Sequence, residues 1–147
     1  MLRGATSTDI PQLVELSQAL NAHESIEITR EELAAGLAEL IGQPRLGVVF
    51  CIAEAGDRDT LVGYGLCAYS FDLEFRGTEA WLTEFYVVPD ARGRGLGDAA
   101  LTEMTAALAA KGVKALHLQV RADNPAVALY ARHGFTRVPR LVMTRKL

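Results

Sequence analysis

Three glycines at alternate positions, Gly93, Gly95 and Gly97, separate an apolar run ending in Val88-Pro89 from the alanine- and leucine-rich stretch Asp98 to Lys111. The proline ends a strand and the following composition favours a helix, so the order reads strand, glycine loop, helix. Such a loop exposes several backbone N–H groups together at the positive end of a helix dipole. Glycines without side chains let an anion such as a pyrophosphate approach the main chain closely. Arg92 and Arg94 add positive charge. Taken alone, the same residues also describe a tight turn with solvated arginines. The unit needs a sheet for its strand and a second layer for its helix, which points to an α/β or α+β layer domain.

The rest of the chain supplies those layers. Thr8-Asp9-Ile10-Pro11 opens a helix in which Ile10, Leu13, Val14, Leu16 and Leu20 recur at helical spacing, ending near His23. Thr29 and Glu32 have capping-box spacing and begin a second helix that stops at Gly42 to Pro44. Gly47 to Ala55 and Thr60 to Phe71 are apolar runs rich in β-branched and aromatic residues around the turn signal Gly56-Asp57-Arg58-Asp59, an antiparallel hairpin. Trp81 to Val88 is the strand that feeds the glycine loop, and Val113 to Val120 is another. Asn124-Pro125 starts a helix running to about His133, Gly134 stops it, and a last apolar segment follows from Phe135. The sum is a mixed, mostly antiparallel sheet of about six or seven strands flanked by about four helices. A chain of 147 residues, 50% hydrophobic, suits one core, so residues 1–147 are expected to form a single domain.

Charge and cysteine usage exclude several functions. The net charge of −3 comes from 15 basic and 18 acidic residues without a long run of either sign, which speaks against an extended nucleic-acid surface. Cys51 and Cys67 lie far apart within apolar strands, so neither a disulfide framework nor a zinc site is expected. His23, His117 and His133 lack metal-ligand spacing, and no metal is expected. The start, Met1-Leu2-Arg3-Gly4, has no apolar leader and no window approaches a membrane span, giving the expectation of a cytoplasmic protein without a membrane partner.

The arrangement Arg92-x-x-Gly95-x-Gly97, preceded by Phe85-Tyr86-Val87-Val88-Pro89, closely resembles the acyl-CoA pyrophosphate loop of the GNAT superfamily of N-acetyltransferases. Downstream, Ala126-Val127-Ala128-Leu129-Tyr130-Ala131-Arg132-His133-Gly134-Phe135 resembles that family's cofactor-side helix with its Gly-Phe ending. The likeness spans nearly the whole chain; Glu24 to Gln43 is where family members differ most, a stretch that commonly helps shape the acceptor site. A faint similarity to the spermidine/spermine acetyltransferase-like branch breaks at Thr83, where those relatives carry an acid. The resemblance implies acetyl-CoA as cosubstrate and direct transfer of its acetyl group to a primary amine in a ternary complex. Homodimerisation is plausible for the family.

The same resemblance implies site residues. The backbone of Phe85, Tyr86 and Val87 meets the pantetheine arm, the segment Arg92, Gly93, Arg94, Gly95, Leu96, Gly97 and Asp98 wraps the pyrophosphate, and the Val87 N–H polarises the thioester carbonyl. An open strand edge suits the amides of such an arm, and a fixed N–H stabilises an oxyanion. Asp98 suits the helix dipole but would repel a pyrophosphate, so its side chain is expected to point away. Tyr130 matches the tyrosine that gives a proton to the departing sulfur. Its plainer role is an amphipathic core tyrosine sharing a face with Val127 and Ala131. Asn124 lies near the family's cofactor-contacting asparagine, at six residues from the tyrosine where seven is usual, the spacing of Asp123. It is equally a helix cap before Pro125, and both readings stay open.

Glu84 is the candidate base for the ammonium proton, because a carboxylate inside an apolar strand needs a reason. Regular alternation puts Leu82, Glu84, Tyr86 and Val88 on one face and Trp81, Thr83, Phe85 and Val87 on the other, and a single β-bulge would exchange these faces. Asp72, Glu74, Glu79 and Glu84, with Arg76 among them, could steer a cation to the site or form a solvated acidic loop. A polyamine, an aminoglycoside-like amine, an amino acid or a peptide amine would each qualify as acceptor. Two rival readings share the glycine loop. A non-catalytic acyl-CoA-binding sensor would keep the cofactor loop without the proton chemistry. A dinucleotide-binding oxidoreductase is opposed by the Gly-x-Gly-x-Gly spacing and by the hairpin ahead of it.

Overall fold

The capping box forms as its spacing predicts. Thr29 Oγ1 accepts from the Glu32 N–H at 3.1 Å, and Glu32 Oε2 accepts from the Thr29 N–H at 2.8 Å. In the computed structural model, which describes residues 1–147, this box opens α2 (Arg30–Gly42), packed beside α1 (Ile10–His23). The remaining elements are β1 (Leu2–Gly4), β2 (Gly47–Glu54), β3 (Asp57–Asp72), β4 (Gly77–Val87), α3 (Leu96–Ala110), β5 (Leu116–Leu118) and α4 (Ala126–Arg132). The strands form one sheet in the order β1-β2-β3-β4-β5, antiparallel throughout except for the parallel β4–β5 pair. The architecture is the mixed α+β layer arrangement expected, with five strands in place of six or seven. Strand β5 is three residues long where Val113 to Val120 was expected, because it pairs with β4 at three positions only. The final apolar segment carries Pro139, which cannot donate to a ladder, and forms no strand.

Strand alternation divides the core between the two sheet faces. Val49, Cys51 and Ala53 of β2 pack with Leu13, Val14 and Leu16 of α1 and Leu33 and Leu37 of α2. Phe50 of the same strand faces the other way and joins Cys67, Ala80 and Leu82 beneath Leu101, Met104 and Leu108 of α3. Gly65 lets that helix come close: a Cβ there would lie 2.6 Å from the Met104 Cε. The first turn of the chain is tied down by Asp9, which is 5% exposed and accepts from Arg3 Nη1 and Nη2 at 2.8 and 2.7 Å and from the Thr6 N–H at 2.8 Å. The Arg3 guanidinium holds the Asp9 carboxyl well below the usual carboxylate range. No helix is long and apolar enough to cross a membrane.

The β3–β4 register contains the feature that positions the site. Leu66 pairs with Glu84 while the adjacent Cys67 pairs with Leu82, so Thr83 is an extra residue in β4. The bulge breaks the expected alternation. Leu82 before it and Phe85 after it both face α3, whereas Glu84 and Tyr86 face the α1 side.

Candidate active site

β4 and β5 pair at Ala80–Leu116, Trp81–His117 and Leu82–Leu118, and there β5 ends while β4 continues to Val87. Beyond Leu82, β4 therefore has an edge without a strand partner on the β5 side. The Ala80 N–H donates to the Ala115 carbonyl towards β5, and the Val88 N–H donates to the Val62 carbonyl towards β3. Ladder alternation then directs the N–H groups of Phe85 and Val87 into the opening.

The glycine loop lies at the end of this edge. Gly93 and Gly95 adopt φ of +73° and +76°, left-handed values that glycine takes without strain. None of the backbone N–H groups from Gly93 through Asp98 donates to a protein acceptor, and they cluster at the N-terminus of α3. Unpaired donors at the positive end of a helix suit a polyanion, so the cradle fits a pyrophosphate. The side chains around it are arranged differently from a simple ring of positive charge. Arg92 Nε donates to the Val87 carbonyl at 2.9 Å with its guanidinium over the Tyr86 ring at 5.6 Å. Arg94 turns to Glu54 of β2, which accepts two hydrogen bonds at 3.2 and 3.3 Å. Asp98 turns to α4, 3.0 Å from His133 Nε2 and 3.1 Å from Arg132 Nη2, and those partners lower its pKa.

Tyr130 and Glu84 fall on opposite sides of the open edge. Tyr130 belongs to the α3-side layer with Phe85 and Leu129, and its ring meets Phe135 edge-on at 5.7 Å. Burial pushes its phenol pKa up, which keeps the proton on it. Glu84 faces α1, where Glu84 Oε2 accepts from the Tyr64 hydroxyl at 2.5 Å and from Ser17 Oγ at 3.4 Å. Burial, then the Glu84 charge, raises the Tyr64 pKa, so Tyr64 stays a donor. Asn124 Oδ1 accepts from the Ala126 N–H at 2.9 Å and thereby caps α4, while Asp123 pairs with Arg121 at 3.2 Å. Both cysteines are buried, and burial pushes each thiol up to about 12, which leaves no reactive thiolate.

Sequence reasoning missed two residues beside Glu84 and misread the surroundings of a third residue, an acid. Ser17 was detectable as a hydroxyl on the apolar stripe of α1, and Tyr64 as a polar tip on a buried strand. Glu79, grouped above with the acidic loop, is instead 6% exposed. Its carboxylate accepts from Ser70 Oγ at 2.9 Å and Trp81 Nε1 at 3.3 Å and lies 2.8 Å from His117 Nε2. Despite burial, these hydrogen bonds leave its pKa below the usual value. His117 stacks on Trp81 with ring centroids 4.8 Å apart. The partner lies on another strand, so no local pattern could announce it.

Comparison with known proteins agrees with this geometry. The model of the acetyltransferase (GNAT) family matches residues 13–135. Mycothiol acetyltransferase of Arthrobacter sp. (strain FB24) is 36% identical over 118 residues, covering 78% of this chain and 34% of that protein's length. An integron cassette protein from the mobile metagenome of Cole Harbour salt marsh superposes with a TM-score of 0.87 at 29% identity, over 99% of this chain and 90% of the other. An acetyltransferase from Clostridium acetobutylicum, solved with acetyl-CoA, shares the fold with a TM-score of 0.79 at 18% identity, over 99% of this chain and 95% of the other.

Proposed function

We propose, from the premise that this chain belongs to the GNAT acetyltransferase family, that it transfers an acetyl group from acetyl-CoA to a primary amine by direct attack in a ternary complex. The observation that carries this reading is the run of unpartnered N–H groups from Gly93 to Asp98 at the end of an open strand edge. Acetyl-CoA brings an acyl carbon already activated as a thioester. The loop N–H groups hold its diphosphate, and the edge at Phe85 to Val87 offers backbone groups to the amides of its arm. The Val87 N–H stabilises the negative charge that grows on the carbonyl oxygen as the amine attacks.

Two proton transfers complete the scheme, and the sheet separates them. Glu84, steadied by Tyr64 and Ser17, takes a proton from the incoming ammonium on the α1 side. Tyr130, kept protonated by burial, gives one to the sulfur on the α3 side as the C–S bond breaks and is reprotonated from solvent, to which the nitrogen releases its second proton as the amide forms. With both thiols held protonated, attack by the amine itself is the simplest route. Asn124 is committed to its cap through Oδ1, and only its amide nitrogen remains for the cofactor arm. Thiol release from acetyl-CoA across monoamines, polyamines, aminoglycosides, amino acids and peptides tests the proposal, with acetyl-CoA binding followed in parallel. Amine-dependent release supports it; binding without release across the whole panel refutes it in favour of a sensor.

A further inference from the structure

We infer that His117, oriented by the buried Glu79 carboxylate, takes the second proton from the acceptor nitrogen and passes it to solvent; this rests on the amine-transfer reading above. Glu79 is 6% exposed in β4, a depth at which a carboxylate needs partners. Its Oε1 accepts from Ser70 Oγ at 2.9 Å and Trp81 Nε1 at 3.3 Å, and its Oε2 lies 2.8 Å from His117 Nε2. Despite burial, those hydrogen bonds keep Glu79 ionised at neutral pH. An ionised carboxylate only accepts, so Nε2 is the imidazole nitrogen that carries the hydrogen, and Nδ1 keeps a free lone pair. Nδ1 has no hydrogen-bond partner and is not sealed from solvent, Tyr69 Oη being the one side-chain polar atom that is both. Trp81 and Phe75 brace the ring, with centroids 4.8 and 5.1 Å away. A fixed tautomer, a braced ring and an open basic nitrogen are the parts of a proton carrier.

Register puts this ring beside the place of attack. On β3, Leu66 pairs with Glu84 and Ala68 with Trp81, so those two β4 residues stand about 7 Å apart along the sheet. His117 pairs with Trp81 across the parallel ladder, about 4.8 Å to the side. Leu116 and Leu118 face α3, so His117 between them faces the α1 side, as Glu84 does. The two side chains therefore flank the opening where β5 ends and β4 runs on alone. An ammonium ion loses two protons on its way to an amide. Glu84 takes the first and frees the lone pair that attacks the thioester carbon. The nitrogen of the adduct is then positively charged, and Glu84, still protonated, has no place for a second proton. His117 Nδ1 takes it as the C–S bond breaks. The imidazolium is stabilised by the Glu79 charge and returns the proton to water.

The test is His117→Ala in the intact protein, with acetyl-CoA and an amine that the wild type acetylates. Its kcat should fall about 100-fold while acetyl-CoA binding is unchanged. Imidazole added to the buffer should restore turnover in proportion to its concentration, whereas pyrazole, a ring of the same size and a far weaker base, should not. Glu79→Gln should also lower kcat with little change in KM, because the amide N–H donates to Nε2 and turns Nδ1 into the protonated nitrogen. Circular dichroism and thermal unfolding establish that each variant is folded. An unchanged kcat in folded His117→Ala, or a loss that pyrazole restores as well as imidazole or that neither restores, overturns the role of His117 alone. Absence of thiol release by the wild type with every amine, while acetyl-CoA still binds, overturns the transferase reading and this inference with it.

Discussion

Gly95→Ala isolates the contribution of the loop's shape to cofactor binding. At this position φ is +76°, and a Cβ would meet nothing within 4 Å, so the substitution adds no clash and acts on the backbone alone. An L-residue in the left-handed region costs about 1–2 kcal/mol. Where that cost appears depends on what holds the loop. Because the N–H groups from Gly93 to Asp98 have no protein acceptors, the ligand-free alanine variant can relax, and the strain returns only when an anion requires the cradle to re-form. Affinity for coenzyme A should then fall about 5- to 30-fold, from 1.4 kcal/mol per factor of ten, with little change in Tm. Isothermal titration with coenzyme A and with pantetheine, which lacks the diphosphate, measures this directly. Only the former should weaken. An unchanged Kd for coenzyme A with a lowered Tm would mean that the protein itself fixes the loop, and the argument for an anion cradle would fail.

Other predictions concern proton chemistry and stability. Tyr130→Phe should lower kcat for thiol release about 100-fold or more while leaving acetyl-CoA binding intact, because it removes a proton donor and keeps the ring packing. Glu84→Gln keeps an acceptor for the Tyr64 hydroxyl and removes the base, so kcat should fall by about the same factor with the fold preserved by circular dichroism. Asp9→Asn should destabilise the chain by about 2–3 kcal/mol in urea unfolding, less than for a fully buried pair because the Arg3 side chain is 24% exposed. The Asp9 pKa is depressed on folding, so its contribution is present above the unfolded value of about 4 and is lost as pH falls through the folded value. The stability gap between wild type and variant should therefore be constant near neutrality and narrow in acid.

Much of the molecule was legible because it depends on neighbours in sequence. The Thr29–Glu32 box, the apolar stripe of α1 and the glycines Gly93 and Gly95 are local devices that appear where their spacing placed them, while α3 starts at Leu96, two residues ahead of the expected Asp98, and takes in Gly97. Thr83 marks the limit. An extra residue in one strand is defined by its partner strand, so regular alternation put Leu82 and Glu84 on one face, whereas the Leu66/Cys67 register shift sends them to opposite faces. The same holds for side-chain partners. Arg94, with Arg92 in the same loop, looked like part of a basic cradle, yet Glu54, forty residues earlier, takes its charge. Glu79 looked solvated until the sheet brought His117 and Ser70 against it. Glu84 was found from the rarity of a carboxylate in an apolar strand, while the Tyr64 and Ser17 that steady it come from a different strand and a helix.

The parting of β4 from β5 leaves a fold that is unfinished by one strand's worth of backbone pairing. On the proposed reading, the cosubstrate's arm pairs with that edge, which makes a metabolite part of the protein's own architecture. A ligand at a hundred times its Kd stabilises a folded chain by about 2.7 kcal/mol, a large share of what a domain of this size has in reserve. Limited proteolysis with and without acetyl-CoA should then show slower cleavage of the liganded chain, a stabilisation that enters through the gap in the sheet.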